Sequence, residues 1–146
     1  MNLATSWQWW AILSALFAAL TAIFAKVGVA EIDSNLATFV RTIVILFVVA
    51  AILLATGKWE ITAVLNLSRK SLLFLVLSGM ATGASWLCYF RALKLGEVSQ
   101  VAPIDKLSVV LVAVFGALFL GEKVSGMNWV GVALIGMGAV LIAVAK

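Results

Sequence analysis

The 146-residue chain has no histidine, one cysteine (Cys88), one proline (Pro103) and one tyrosine. A lone cysteine forms no disulfide within the chain, and without histidine the usual clusters of soft metal ligands are absent. No metal, cofactor or catalytic residue is therefore expected. Nor is there a nucleophile–base pair or a phosphate-binding loop, and Cys88, inside an apolar run, reads as an inert packing residue rather than a thiolate. An enzyme is excluded on these grounds. Charge is equally scarce: 11% of residues are charged and 65% apolar, against roughly 25% charged in soluble domains. A water-soluble globule is excluded. Ten basic against six acidic residues leave a net charge of +4, too small and dispersed for a nucleic-acid partner.

What remains is apolar sequence in long runs. A membrane-spanning helix needs about 20 mostly apolar residues, and breaking the chain at its Gly, charge and turn clusters leaves five such runs, at about 7–28, 35–56, 71–93, 98–120 and 127–145. The expected fold is all-α and polytopic, with the lipid bilayer as its main partner. The connecting loops are too short for a soluble domain, and no tandem repeat is visible. The first run lacks the positive region and cleavage site of a secretory signal, so it reads as a retained span. In the longest loop, 57–70, Ile61, Val64 and Leu65 recur at helical spacing. They predict a short interfacial helix, with an irregular loop as the alternative.

Five spans put the termini on opposite sides of the membrane. On the N-terminal side, side A, fall Trp7, Trp9, Trp10, Trp59 and Trp129, where indoles favour the headgroup region. Side A also carries Lys58, Arg69, Lys70 and Lys123, and side B carries Lys26, Arg91, Lys94 and Lys146. Loop charge thus chooses no orientation. Either the chain inserts both ways and pairs antiparallel, or a weak local signal fixes one topology.

Two charged positions lie deep in spans. At about 1.5 Å per residue, Arg41 is about 9 Å from side B on the second span, Asp105 about 10 Å on the fourth, and Trp86 about 10 Å on the third. Lys106 adjoins Asp105. Charges at such depth are candidates for function because they need a partner or a wet cavity. Arg41 with Asp105 is the natural pair, either as a permanent bridge that orients two helices or as part of a solute site. One acid between two cations leaves positive charge, which suits the carboxylate of an anionic or zwitterionic solute. Candidate substrate-binding or coupling residues are therefore Arg41, Trp86, Phe90, Asp105 and Lys106.

On the third span Gly79, Gly83, Trp86 and Phe90 share one helix face. The glycines read as a small-residue packing face or as a cavity wall beneath two aromatic rings. Pro103 removes a backbone donor two residues before Asp105, so it marks either a helix start or a break beside the charges. In the first span Ser14, Ala18, Thr21 and Ala25 form a small-residue packing face.

From the end of the third span onward the sequence resembles the EamA domain of the drug/metabolite transporter superfamily. The most specific pieces are RALKLGE (91–97), LGEK (120–123) and WVGVALIGMG (129–138), and Arg41 falls where family members often carry a basic residue. The resemblance runs over nearly the whole chain and implies one EamA-like transmembrane domain, 1–146. Larger members hold two such units in inverted orientation and export metabolites. The last span is also similar to the final helix of small multidrug resistance proteins: Gly131, Leu134, Ile135 and Gly138 match the spacing of their dimer motif, while Val132 and Ala139 depart from it. Those relatives use a membrane-embedded Glu in the first helix for proton coupling; this first span has none, which leaves Asp105 to take that part. Glu122, within LGEK, is expected to be structural, capping the last span or pairing nearby.

The resemblance implies a transporter in the bacterial inner membrane, an efflux protein for a small metabolite or drug-like solute. A single unit would work as a homodimer by alternating access, antiparallel if the topology is dual. Two rivals remain: a non-transporting assembly subunit, and a component of a lipid-carrier flippase.

Overall fold

The computed structural model describes residues 6–145, apart from the side chains of Ile61 and Ala63. Lys146, assigned above to side B, lies outside the described residues. The helices are α1 (Trp7–Val29), α2 (Ser34–Ala55), α3 (Ile61–Leu65), α4 (Arg69–Leu95), α5 (Val98–Asp105), α6 (Leu107–Phe119) and α7 (Gly126–Val144), with no strand among the described residues. Five segments are long and apolar enough to cross a membrane: α1, α2, α4, the continuous stretch Val98–Phe119 that holds α5 and α6, and α7. Each lies within two residues of the span expected from the sequence, and α3 occupies the expected position in the 57–70 loop. Large apolar side chains on every span are exposed, Phe17, Phe47, Phe74, Leu118 and Leu141 among them. Such an outward face suits hydrocarbon rather than water.

Residues 27–94 form one compact unit, and the described residues up to Lys26 and from Leu95 onward form another. In the first unit the chain turns from α1 into α2 through Asp33, whose carboxylate accepts hydrogen bonds from the backbone N–H of Asn35 at 2.8 Å and Leu36 at 3.1 Å. This is an N-cap, which satisfies two donors that a helix start leaves free. The end of α4 comes to the same place, because Lys94 Nζ donates to the Ile32 carbonyl. α2 and α4 therefore run antiparallel. Ser34, Ala37 and Thr38 of α2 and Phe90 and Leu93 of α4 are buried. At its other end α2 stops at Gly57, whose φ of +65° lets the Gly57 N–H reach Leu54 O at 3.1 Å and the Lys58 N–H reach Leu53 O at 2.9 Å. These paired reverse bonds close the helix end.

In the second unit α7 packs along both α5 and α6. Ser125 caps α7 by accepting from the Asn128 N–H at 3.2 Å. Glu122, considered above as that cap, lies elsewhere: its carboxylate folds back on Gly116 of α6, with Oε2 2.8 Å from where a β-carbon would stand. The Gly116 carbonyl in turn accepts from the N–H of both Leu120 and Glu122 at 3.1 Å. Across the α6–α7 hairpin, Gly136 sits so close to Val110 that an added β-carbon would meet Cγ2 at 3.2 Å. Lys26 Nζ of α1 donates to the Gly96 carbonyl at 2.8 Å, just before α5.

Two predictions follow from this packing. Asp33 is held below its ordinary pKa by the N–H groups of Leu36 and Asn35, with smaller contributions from Lys94 and Arg91. A depressed folded pKa gives stability that is present above the unfolded value of about 3.9 and lost as pH falls through the folded value. Asp33→Ala therefore lowers the melting temperature at neutral pH, and the gap to wild type narrows below about pH 4; Asp33→Asn keeps the cap but loses that pH dependence. Gly136→Val forces the α6–α7 contact apart and melts several degrees lower, whereas Gly131→Val, where a β-carbon meets nothing within 4 Å, leaves the melting temperature of the monomer near wild type.

Candidate functional site

Helix periodicity places Ser34, Ala37, Thr38 and Arg41 on one face of α2. The two threonines near Arg41 do not serve it: Thr38 Oγ1 donates to the Ser34 carbonyl at 2.9 Å and Thr42 Oγ1 to the Thr38 carbonyl at 2.8 Å. Such back-bonding satisfies a hydroxyl within its own helix. Arg41 is met from α4, where Trp86 and Phe90, four residues apart, present their rings on one side. The guanidinium carbon stands 3.9 Å from the Trp86 ring centroid and 5.4 Å from that of Phe90. Both distances fall within cation–π range. Phe90 is buried and Trp86 half-buried.

The rings attract the charge but accept no ordinary in-plane hydrogen bond from it. Arg41 Nη1 is shielded from solvent and has no hydrogen-bond partner among the described residues. Ser34 Oγ, two turns back on the same face, is likewise buried without a partner. An unsatisfied buried donor costs about 1–3 kcal/mol, and more when charged. Polar atoms left in this state commonly mark a place where a water, ion or ligand belongs.

Asp105 and Lys106 lie in the other unit, at the joint between α5 and α6. Pro103 supplies no N–H to the helix. Three residues later the Lys106 N–H is shared between Ala102 O at 3.3 Å and Pro103 O at 3.1 Å, and the Val109 N–H bonds Lys106 O at 3.0 Å. The backbone tightens there and the helix divides, so the proline marks a break inside the span rather than its first residue. Asp105 Oδ2 pairs with Lys106 Nζ at 3.3 Å, both side chains being partly exposed. This neighbouring pair is the ion pair that the structure gives Asp105.

Thus three of the five proposed site residues, Arg41, Trp86 and Phe90, converge in one unit, while Asp105 and Lys106 pair in the other. The glycine faces are open. A β-carbon at Gly79, Gly83, Gly131 or Gly138 would meet nothing within 4 Å among the described residues. Leu134 and Ile135 are exposed beside Gly131 and Gly138. The close approach on α7 is at Gly136, which the sequence reading passed over although it lies within LIGMG. The opposite face of α7, at Val132, Gly136 and Val140, borders an apolar groove of about 490 Å³ closed by Val110. Ser34 was also missed, because an isolated serine before an apolar run reads as a helix start.

Comparison with known proteins places this sequence in a family. The sequence profile of the EamA-like transporter family matches residues 5–144. A Sinorhizobium protein described as an uncharacterized transporter in the cobO 3' region is 63% identical over 142 residues, which cover 97% of this chain and 99% of that protein. A Hamiltonella defensa protein, described as a probable 4-amino-4-deoxy-L-arabinose-phosphoundecaprenol flippase subunit ArnE, is 28% identical over 88 residues, 60% of this chain and 76% of that protein. No solved structure matches the chain. With five membrane-length helices and a family match over almost its full length, the chain is a multi-pass membrane protein of the EamA-like transporter family, a family of transporters rather than enzymes.

Proposed function

We propose that the chain is one half of a bacterial inner-membrane exporter that moves a small organic solute by alternating access as a homodimer. The observation that carries this reading is the Arg41 guanidinium, held in a membrane-spanning segment against Trp86 and Phe90 with a hydrogen-bond donor left over. An ionised group in a span that served packing alone would be expected to have its donors satisfied. Arg41, Trp86 and Phe90 receive the solute. Asp105 and Lys106, at a helix break of the kind that transporters tolerate where backbone lines a cavity, couple its movement to protons.

The size of the bundle supports a dimer. Inverted-repeat transporters rock one half against another around a central site, and five helices supply one half. The open face of α7 at Gly131, Leu134, Ile135 and Gly138 is the surface assigned to the second copy, and small residues there permit close helix approach. The balanced loop charges support insertion in both orientations, which would make the pair antiparallel. Export, rather than import, rests on the resemblance to metabolite exporters.

The likeness to a flippase subunit favours one second reading, in which the solute is the headgroup of a lipid-linked sugar. The same arginine would then face a phosphate ester still attached to its lipid.

The test begins with a thermal-shift screen of a metabolite panel on detergent-purified protein, followed by flux of each stabilising compound in proteoliposomes. A true solute stabilises wild type by several degrees, loses most of that effect on Arg41→Ala or Trp86→Ala, and crosses with a pH dependence that Asp105→Asn flattens. Equal stabilisation of wild type and both variants would remove the site. For the dimer, cysteine cross-linking at position 134 in a Cys88→Ala background yields dimer that Gly138→Leu abolishes. C-terminal reporters active only inside or only outside the cell both give signal if insertion is dual, and one clean signal excludes the antiparallel pair.

A further inference from the structure

The proposed function leaves the charge of the solute open, and the geometry at Arg41 decides it. We propose that Arg41, Trp86 and Phe90 form a charge filter that takes the oxyanion of its solute, a carboxylate or phosphate ester, and rejects lipophilic cations. This deepens the transport reading and rests on it.

A guanidinium is a flat cation that offers its faces to aromatic rings and its N–H edge to oxygen acceptors in the same plane. Here the rings already hold a cation, with the guanidinium carbon 3.9 Å from the Trp86 centroid and 5.4 Å from that of Phe90. The ring surface on which a lipophilic cation would settle is already occupied by a cation, and a second positive charge beside it would be repelled. Two aromatic rings in a span would otherwise suit quaternary ammonium and phosphonium compounds; with Arg41 upon them they do not.

The edge is what remains. Nη1 is buried and unbonded among the described residues, and Thr38 and Thr42 direct their hydroxyls to their own helix. Asp33 accepts from the start of α2, two turns away, and the ion pairs of the described residues include none to Arg41. Charge-assisted bonds from arginine to carboxylate or phosphate are among the strongest hydrogen bonds a side chain makes. Ser34 Oγ, buried and unbonded on the same face of α2, extends the polar stripe toward the Asp33 end of the helix.

The experiment is titration calorimetry on the full chain in nanodiscs with four probes: benzoate, phenyl phosphate, farnesyl phosphate and tetraphenylphosphonium. The three anions bind and tetraphenylphosphonium neither binds nor competes. Arg41→Gln weakens the anions by about tenfold or more, as expected when a charged acceptor loses its charged donor, and Arg41→Lys, which keeps charge but lacks the planar fork, weakens them less. Should Arg41→Gln fail to fold, competition on wild type alone gives the answer. Farnesyl phosphate binding far more tightly than phenyl phosphate identifies a lipid-linked source, and comparable binding a soluble one; both support an oxyanion. If tetraphenylphosphonium binds as well as the anions and loses its binding in Trp86→Ala, the charge filter is overturned while the transport site stands. If no probe of either sign responds to Arg41 or Trp86, the filter and the site fall together.

Discussion

A permanently charged guanidinium in an apolar bundle is the constraint around which the 27–94 unit is organised. An arginine costs roughly 2.5–3.5 kcal/mol at the centre of a spanning helix on insertion scales, which is an upper bound for Arg41 at about 9 Å from one end. A desolvated cation–π contact returns about 2 kcal/mol, and the more distant Phe90 ring adds less. The two terms come close without cancelling, and the shortfall, about 0.5–1.5 kcal/mol, is less than or equal to what one hydrogen bond from a charged donor supplies, about 1.5–3 kcal/mol. The unbonded Nη1 is where that bond is missing. A site stabilised almost, but not wholly, by its own protein is one that a ligand can complete.

The surrounding elements hold this arrangement in register. The Asp33 cap starts α2, and the Lys94 bond to the Ile32 carbonyl brings the end of α4 to the same turn. Counting along antiparallel helices from that shared point brings Arg41 level with Trp86 and Phe90. Little else is buried, since most large apolar side chains face outward. In lipid that is no defect, because hydrocarbon solvates leucine as well as a neighbouring helix does, and helix contacts depend on packing of small residues and on polar groups. Gly136 against Val110 and Glu122 folded onto Gly116 are the corresponding fixed points among α6 and α7.

The five spans and the short α3 were legible because length and hydropathy are local properties of sequence, and the structure departs from those limits by two residues or fewer. The convergence of Arg41, Trp86 and Phe90 was legible for a related reason: depth in a span follows from counting residues, and an i, i+4 pair must share a face. Partnership at a given depth was less so. Counting makes Asp105 the natural partner of Arg41 by depth; the structure shows Asp105 paired with its own neighbour Lys106, at the backbone break that follows Pro103, and a count of depth says nothing of which way a side chain turns. Glycine faces posed the same difficulty. Gly79 and Gly83 have the spacing of a packing face, and among the described residues nothing lies within 4 Å of a β-carbon there, while Gly136 has no special spacing and makes a close contact with Val110.

The stacking of Arg41 on Trp86 can be read directly, because the chain has only three arginines, Arg41, Arg69 and Arg91. In nitrogen-15 arginine-labelled protein in nanodiscs, the Arg41 side-chain protons should be shifted upfield by the indole ring current and return to ordinary values in Trp86→Leu. Arg41 side-chain resonances that are the same in wild type and Trp86→Leu would mean that the guanidinium does not lie on the ring, and the account of the site would fail with it.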